Sequence, residues 1–174
     1  MYLEQDSLDD ILMALHEDFQ KGEWDYVLPT KGPNYEKPSV LIKLIDPRSR
    51  ISTTEGKGTI FSCLGELIWY LSGSKNLDQI QYYLSGYSRF SDDGETIYGA
   101  YGPRIFGPEK QSNIEKVIQL LSEKPNTRKA VIQIFDNEDI EEYHSDVPCT
   151  CTLQFLVRNG QLNLFTCMLS NDMY

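Results

Sequence analysis

The sequence predicts a mixed helix-and-sheet (α+β) domain, on three observations. Helical periods stand near residues 3–19, 60–71 and 112–124, short strand-like runs stand at 39–45, 130–135, 151–157 and 162–169, and no repeat or low-complexity linker divides the chain. With 174 residues, 40% hydrophobic and 11% aromatic, the chain can bury a core and is expected to form a single domain over residues 1–174.

The first period runs through Leu3, Leu8, Ile11, Leu12, Leu15 and Phe19, an amphipathic helix with Ser7 available as a cap. Trp24 to Tyr35, rich in Gly, Pro and charge, reads as a loop, and Ser39 to Ile45 reads as a strand ended by Asp46-Pro47. Ile60 to Leu71 is apolar nearly all round, which predicts a buried helix. Glu66 is the exception inside it, either near solvent at a cleft, paired, neutral with a raised pKa, or at the helix's one wet position. Tyr87 to Phe106 is a Gly- and Tyr-rich loop whose glycines permit close backbone approach. Ser112 and Glu115 have capping-box spacing ahead of Ile114, Val117, Ile118 and Leu121. Three strands follow, Ala130 to Phe135, Cys151 to Val157 and Leu162 to Leu169, the last two joined by an Asn159-Gly160 hairpin turn.

Chemistry concentrates at Pro148-Cys149. Proline fixes its own φ and biases Val147 toward extended geometry, so the thiol is delivered rigidly at a loop-to-strand junction. A nucleophilic cysteine needs a depressed pKa, and the competing reading is a buried structural thiol. Cys63, Cys149, Cys151 and Cys167 lack a secretion signal ahead of them and are expected as reduced thiols. No C-x-x-C is present and His16 and His144 sit in unrelated contexts, so no metal site is expected.

The net charge of −10 argues against a nucleic-acid partner. A small anion would need a local basic cluster, for which the candidates are Arg48 with Arg50, Lys57, Arg104, and Arg128 with Lys129. No segment is long and apolar enough to span a bilayer, and the N-terminus has no basic n-region, so a cytoplasmic protein without membrane contact is expected.

Read in order, Gly65-Glu66-Leu67-Ile68-Trp69-Tyr70-Leu71-Ser72-Gly73, Ile97-Tyr98-Gly99, Arg128-Lys129-Ala130-Val131, Pro148-Cys149 with Gln154-Phe155, and Ser170-Asn171-Asp172 resemble the thymidylate synthase and pyrimidine hydroxymethylase family. The resemblance runs from about Ile51 to the C-terminus. It implies a thymidylate synthase-like fold, a largely antiparallel sheet flanked by helices, with the C-terminal part of the family domain missing. It also implies one-carbon transfer from 5,10-methylenetetrahydrofolate to C5 of a pyrimidine nucleotide. Cys149 would add to C6 of the base, Glu66 would manage protons and activate folate through water, and Tyr98 would support that water. Arg128, Lys129, Gln154, Ser170 and Asp172 would bind nucleotide, the basic pair reaching across a homodimer interface to the partner's phosphate. Tyr87, Phe90 and Asp172 would face the folate.

Methylation of dUMP is the first expected reaction, hydroxymethylation of a nucleotide such as dCMP or CMP the second, and a non-catalytic nucleotide- or partner-binding fragment the third. The chain departs from the family pattern in several places. Leu169 stands where the family has a phosphate-binding arginine, Thr150 stands in place of a histidine, and Lys129 in place of a second arginine trades a bidentate fork for a point charge. The stretch Lys31 to Lys37 carries no clear counterpart of the family's phosphate loop, and the sequence stops at Tyr174 before the family's base-reading residue.

Overall fold

The structure is a computed structural model, described for residues 1–29, 32–52, 60–107, 112–141 and 143–171. The chain divides into two compact units, the first carrying the elements up to Leu44 and the second those from Ile60 onward.

The first unit contains β1 (Tyr2–Gln5), α1 (Leu8–Gln20), β2 (Asp25–Val27), β3 (Asn34–Glu36) and β4 (Leu41–Leu44). Leu3 belongs to a strand, not to the helix expected there, because β1 pairs in parallel with β4 and sets Leu3 opposite Ile42. The helix starts after Ser7, whose hydroxyl accepts from the Asp10 amide at 3.2 Å. Ile11 and Leu15 form its buried stripe. The expected loop at 24–35 carries an antiparallel hairpin of β2 with β3, Tyr26 opposite Tyr35.

The second unit runs α2 (Ile60–Leu71), α3 (Leu77–Gln81), a 3-10 turn at Ser85–Phe90, α4 (Tyr101–Phe106), α5 (Asn113–Glu123), β5 (Val131–Gln133), a second 3-10 turn at Asn137–Ile140, β6 (Thr150–Arg158) and β7 (Gln161–Met168). Both 87–90 and 101–106 are therefore helical turns inside the segment expected as loop. Strands β5, β6 and β7 form one antiparallel sheet in that order. Asn159 and Gly160 both take positive φ, 52° and 74°, which is the geometry a two-residue hairpin turn requires. As expected, Ser112 caps α5, its hydroxyl accepting from the Glu115 amide at 3.4 Å.

Two apolar clusters hold this unit. Trp69, Leu77, Ile80, Ile97 and Ala100 pack between α2, α3 and the start of α4, while Val117, Ala130, Ile132 and Ile134 pack between α5 and the sheet. Gly65 lets Tyr83 press against α2, since a Cβ there would lie only 2.2 Å from Tyr83 Cγ.

The expectation that α2 is buried is corrected. Only Gly65 and Trp69 are buried, whereas Ile60, Phe61, Leu64, Leu67, Ile68 and Leu71 stand 44% to 80% exposed. Residues 60, 64, 67, 68 and 71 share one helical face, so the helix packs through its Gly65–Trp69 side and presents an apolar stripe opposite. Among the described residues, no helix is long and apolar enough to cross a membrane.

Candidate active site

Glu66 lies mid-helix in α2, half-buried, four residues before Tyr70. That spacing sets the two side chains on one helical face, and Tyr70 Oη donates to Glu66 Oε1 at 2.6 Å. Tyr87, on the first 3-10 turn, donates to the same oxygen at 2.8 Å. Burial first, and the Glu66 carboxylate beside them second, push both phenols above their ordinary pKa, so each stays a fixed O–H donor. Among the described residues, Oε2 takes no hydrogen bond, which leaves one carboxylate oxygen for a ligand.

Cys149 is part-buried behind the fully buried Pro148. Its carbonyl accepts from the Leu169 amide at 2.7 Å, tying it to the end of β7, and the next amide, Thr150 N–H, donates to Tyr101 Oη at 3.3 Å. Tyr101 in turn packs on Tyr70, ring centroids 5.2 Å apart. A continuous path therefore joins the two principal candidates: Glu66, the Tyr70 hydroxyl, the Tyr70 and Tyr101 rings, then the backbone immediately after Cys149. Cys151 sits at a register shift in the β6–β7 ladder. Burial foremost, then Cys167 and Cys149, push its thiol up, which disfavours Cys151 as a competing thiolate.

The other expected site residues fall in three places. Tyr98 joins a different cluster: its ring stacks on His144 at 3.4 Å, the Arg104 guanidinium lies 5.3 Å from its centroid, and burial together with Asp139 raises its pKa. Arg104 itself, a candidate phosphate ligand, is engaged with both carboxylate oxygens of Asp139 at 2.6 and 2.7 Å. Arg128 and Lys129 are exposed just ahead of β5, and the Arg128 carbonyl accepts from Gln154 Nε2 at 3.0 Å, which brings those two candidates together. Lys129 also borders a surface cavity with Asn113, Lys116 and Gln133, on the α5–β5 side of the unit, whose lining includes neither Glu66 nor Cys149.

Phe90 packs edge-on against Tyr87 at 5.4 Å with Arg89 over its ring. Ser170 is exposed beyond β7, and Asp172 lies outside the described residues, as does Lys57. Exposed Leu169 places a hydrocarbon where the family pattern has a guanidinium. Among the described residues, no group of three or more His, Cys, Asp or Glu could hold a metal ion.

Sequence reasoning did not single out Tyr70, Tyr101 or the contact of Asp92 with His144, 3.2 Å from Oδ2 to Nδ1. The four-residue spacing from Glu66 was a usable signal for Tyr70. Tyr101, Asp92 and His144 act across long sequence separations that local pattern does not reveal.

The thymidylate synthase family model matches residues 48–174. A deoxyuridylate hydroxymethyltransferase of Delftia phage PhiW-14 is 29% identical over 148 residues, 78% of this chain and 41% of the relative. A thymidylate synthase of Francisella tularensis subsp. holarctica is 31% identical over 135 residues, 67% of this chain and 47% of the relative. The crystal structure of thymidylate synthase from T4 phage superposes with a TM-score of 0.56 at 27% identity, over 70% of this chain and 48% of that one. The chain spans less than half the length of each of these proteins.

Proposed function

The chain belongs to the thymidylate synthase family, and from that premise we propose that it takes part in one-carbon transfer from 5,10-methylenetetrahydrofolate to C5 of a pyrimidine nucleotide. The observation that carries the reading is the connected pair of Glu66 and Cys149, a carboxylate held through one oxygen by two phenols and a part-buried thiol on one scaffold of tyrosines. The Cys149 thiolate adds to C6 of the ring, forming the S–C6 bond and moving an electron pair toward C5 and the C4 oxygen. C5 then attacks the methylene carbon carried by folate. Loss of the C5 proton and release of folate give an exocyclic methylene, and Cys149 leaves once that carbon is quenched. Glu66, held by two phenols that stay protonated, passes protons through water to base and folate. Tyr87 orients Glu66 directly, and Phe90 backs Tyr87.

Two products diverge at the quenching step. Hydride from folate gives a methyl group and dihydrofolate, and water gives a hydroxymethyl group and tetrahydrofolate. Relatives named deoxyuridylate hydroxymethyltransferase and thymidylate synthase match this chain at similar identity, 29% and 31%, which supports a uracil nucleotide as substrate and keeps both products as readings. Incubation with dUMP and methylenetetrahydrofolate, with products separated by mass, decides between them. Arg128 and Lys129, both exposed, suit a phosphate held across the interface of a homodimer.

Glu66→Gln keeps the hydrogen-bond acceptor for Tyr70 and Tyr87 and removes the proton carrier. Turnover is expected to fall about 10²- to 10⁴-fold with nucleotide binding retained. Equal loss of binding and turnover would instead mark Glu66 as a structural anchor.

A second reading, a family fragment that binds a partner without turnover, is favoured by the exposed apolar stripe on α2. A correctly folded chain that binds nucleotide but forms no covalent adduct with a 5-fluoropyrimidine nucleotide and methylenetetrahydrofolate would support it.

A further inference from the structure

Resting on the reading of Cys149 as nucleophile, we propose that Asp92 and His144 form a latch that positions the segment presenting that thiol. Asp92 Oδ1 accepts from the Ser145 amide at 2.8 Å, and Oδ2 lies 3.2 Å from His144 Nδ1. The acceptor at that distance places the imidazole proton on Nδ1. The imidazole lies flat on the Tyr98 ring, 3.4 Å between centroids and 8° between planes. His144 Nε2 is buried with no partner among the described residues, so the ring's orientation rests on Asp92 and on the stack. Hydrogen bonds from Ser145, and then from His144, hold the Asp92 carboxyl below the usual range and keep it an anionic acceptor at neutral pH.

The anchoring continues to the nucleophile. A Cβ on Gly99 would meet Asp146 Oδ2 at 2.9 Å and the Val147 carbonyl carbon at 3.1 Å, so only glycine admits this approach. Pro148 is fully buried, and Thr150 N–H is held by Tyr101. Apart from the Leu169 amide on the Cys149 carbonyl, the anchors named for 144–150 come from 92–101, a stretch more than forty residues away in sequence. Asp92 and His144 touch neither Glu66 nor its tyrosines, and their effect on the chemistry is through the geometry of Cys149. Tyr98 acquires the same role, as the platform under His144.

The test uses three variants of the full chain. Asp92→Ala removes both acceptor oxygens, Asp92→Asn keeps a neutral acceptor, and His144→Phe keeps the stack on Tyr98 while losing the bond to Asp92. Hydrogen exchange read by mass spectrometry is expected to be about tenfold faster or more in the 144–150 peptide of D92A, with α5 and β7 peptides unchanged. Adduct formation with a 5-fluoropyrimidine nucleotide and methylenetetrahydrofolate is expected to slow about 10- to 100-fold, since a small misplacement of the attacking atom carries that cost. Nucleotide affinity stays within about threefold of wild type, and D92N recovers at least about fivefold of the lost rate.

Unchanged exchange in D92A and H144F overturns the latch. Faster exchange with an unchanged adduct rate overturns its positioning role. If D92A does not fold, D92N and H144F carry the same comparison. A wild-type chain that forms no adduct counts against the catalytic reading instead, and the exchange data then decide the latch alone.

Discussion

Replacing Arg104 with alanine is expected to cost about 3–5 kcal/mol of folding stability at neutral pH, the range for removing one partner of a buried ion pair. The Asp139 side chain is 0% exposed and that of Arg104 14% exposed. The guanidinium forks onto both Asp139 oxygens, at 2.6 and 2.7 Å, and donates to the Ile134 carbonyl at 2.8 Å, so one side chain ties α4 to the strand end and to the turn at Asn137–Ile140. Asp139 also accepts from the Asp136 amide at 2.7 Å and closes the capping box of that turn.

The pH dependence follows from the sign of the Asp139 shift. Burial alone would raise its pKa, but the Arg104 and Asp136 hydrogen bonds outweigh it and the net shift is downward. A carboxyl depressed in the folded state contributes stability that is present above its unfolded pKa, about 3.9, and is lost as pH falls through the folded value. R104A removes the largest of the contributions that lower the Asp139 pKa, so the folded value is expected to move up and the stability this carboxyl contributes at neutral pH to shrink. The penalty of R104A is therefore larger at neutral pH than near pH 4. Urea unfolding at both pH values, followed by tryptophan fluorescence, measures it; a penalty below about 1 kcal/mol at neutral pH, or one independent of pH, contradicts the buried-pair account. Arg104→Lys keeps the charge, loses the fork and falls between the two.

This ion pair also explains where reading the sequence stopped working. Arg104 looks like any surface cation in sequence, and its partner is 35 residues away. Elements specified by neighbouring residues were legible: the β6–β7 hairpin through Asn159-Gly160, and α5 through Ser112 and its apolar spacing. Elements specified by distant pairing were not. Tyr2–Gln5 continues the apolar spacing of α1 yet becomes a strand because β4, far along the chain, supplies the ladder. In α2, apolar residues on nearly every side suggested burial, but composition says only that a face can be covered, not that these residues cover it.

The candidate site divides the same way. Glu66 stood out as a lone carboxyl in an apolar helix, and Tyr70 was within reach of helical spacing. Tyr101, meeting the Thr150 amide across 49 residues, and His144, meeting Asp92 across 52, required the fold. For Tyr98, Ile97-Tyr98-Gly99 drew attention to the segment, and the fold supplies the ring's neighbours, His144 and Arg104.

Cys149→Ser is expected to abolish the covalent adduct and to lower any turnover by at least about 10³-fold, the scale on which enzymes respond to losing a nucleophile. The exchange removes only sulfur's reactivity: serine is nearly isosteric, its hydroxyl is a far weaker nucleophile near neutral pH, and Cys149 is a free, part-buried cysteine at a strand mouth. Folding should be intact, with the unfolding midpoint close to that of the parent chain. The sheet provides its own controls, because Cys151 stands near both Cys149 and Cys167. Cys151 is held protonated by burial and by its two sulfur neighbours, and Cys167 is exposed on β7, so Cys151→Ser and Cys167→Ser should each retain the adduct. Intact-mass measurement after incubation with a 5-fluoropyrimidine nucleotide and methylenetetrahydrofolate reads the result, and fragment spectra of the peptide holding Cys149 and Cys151 locate the modified sulfur. An adduct that survives in C149S, or one that maps to Cys151, would move the nucleophile off the Pro148-Cys149 junction and remove the reason for connecting that junction to Glu66.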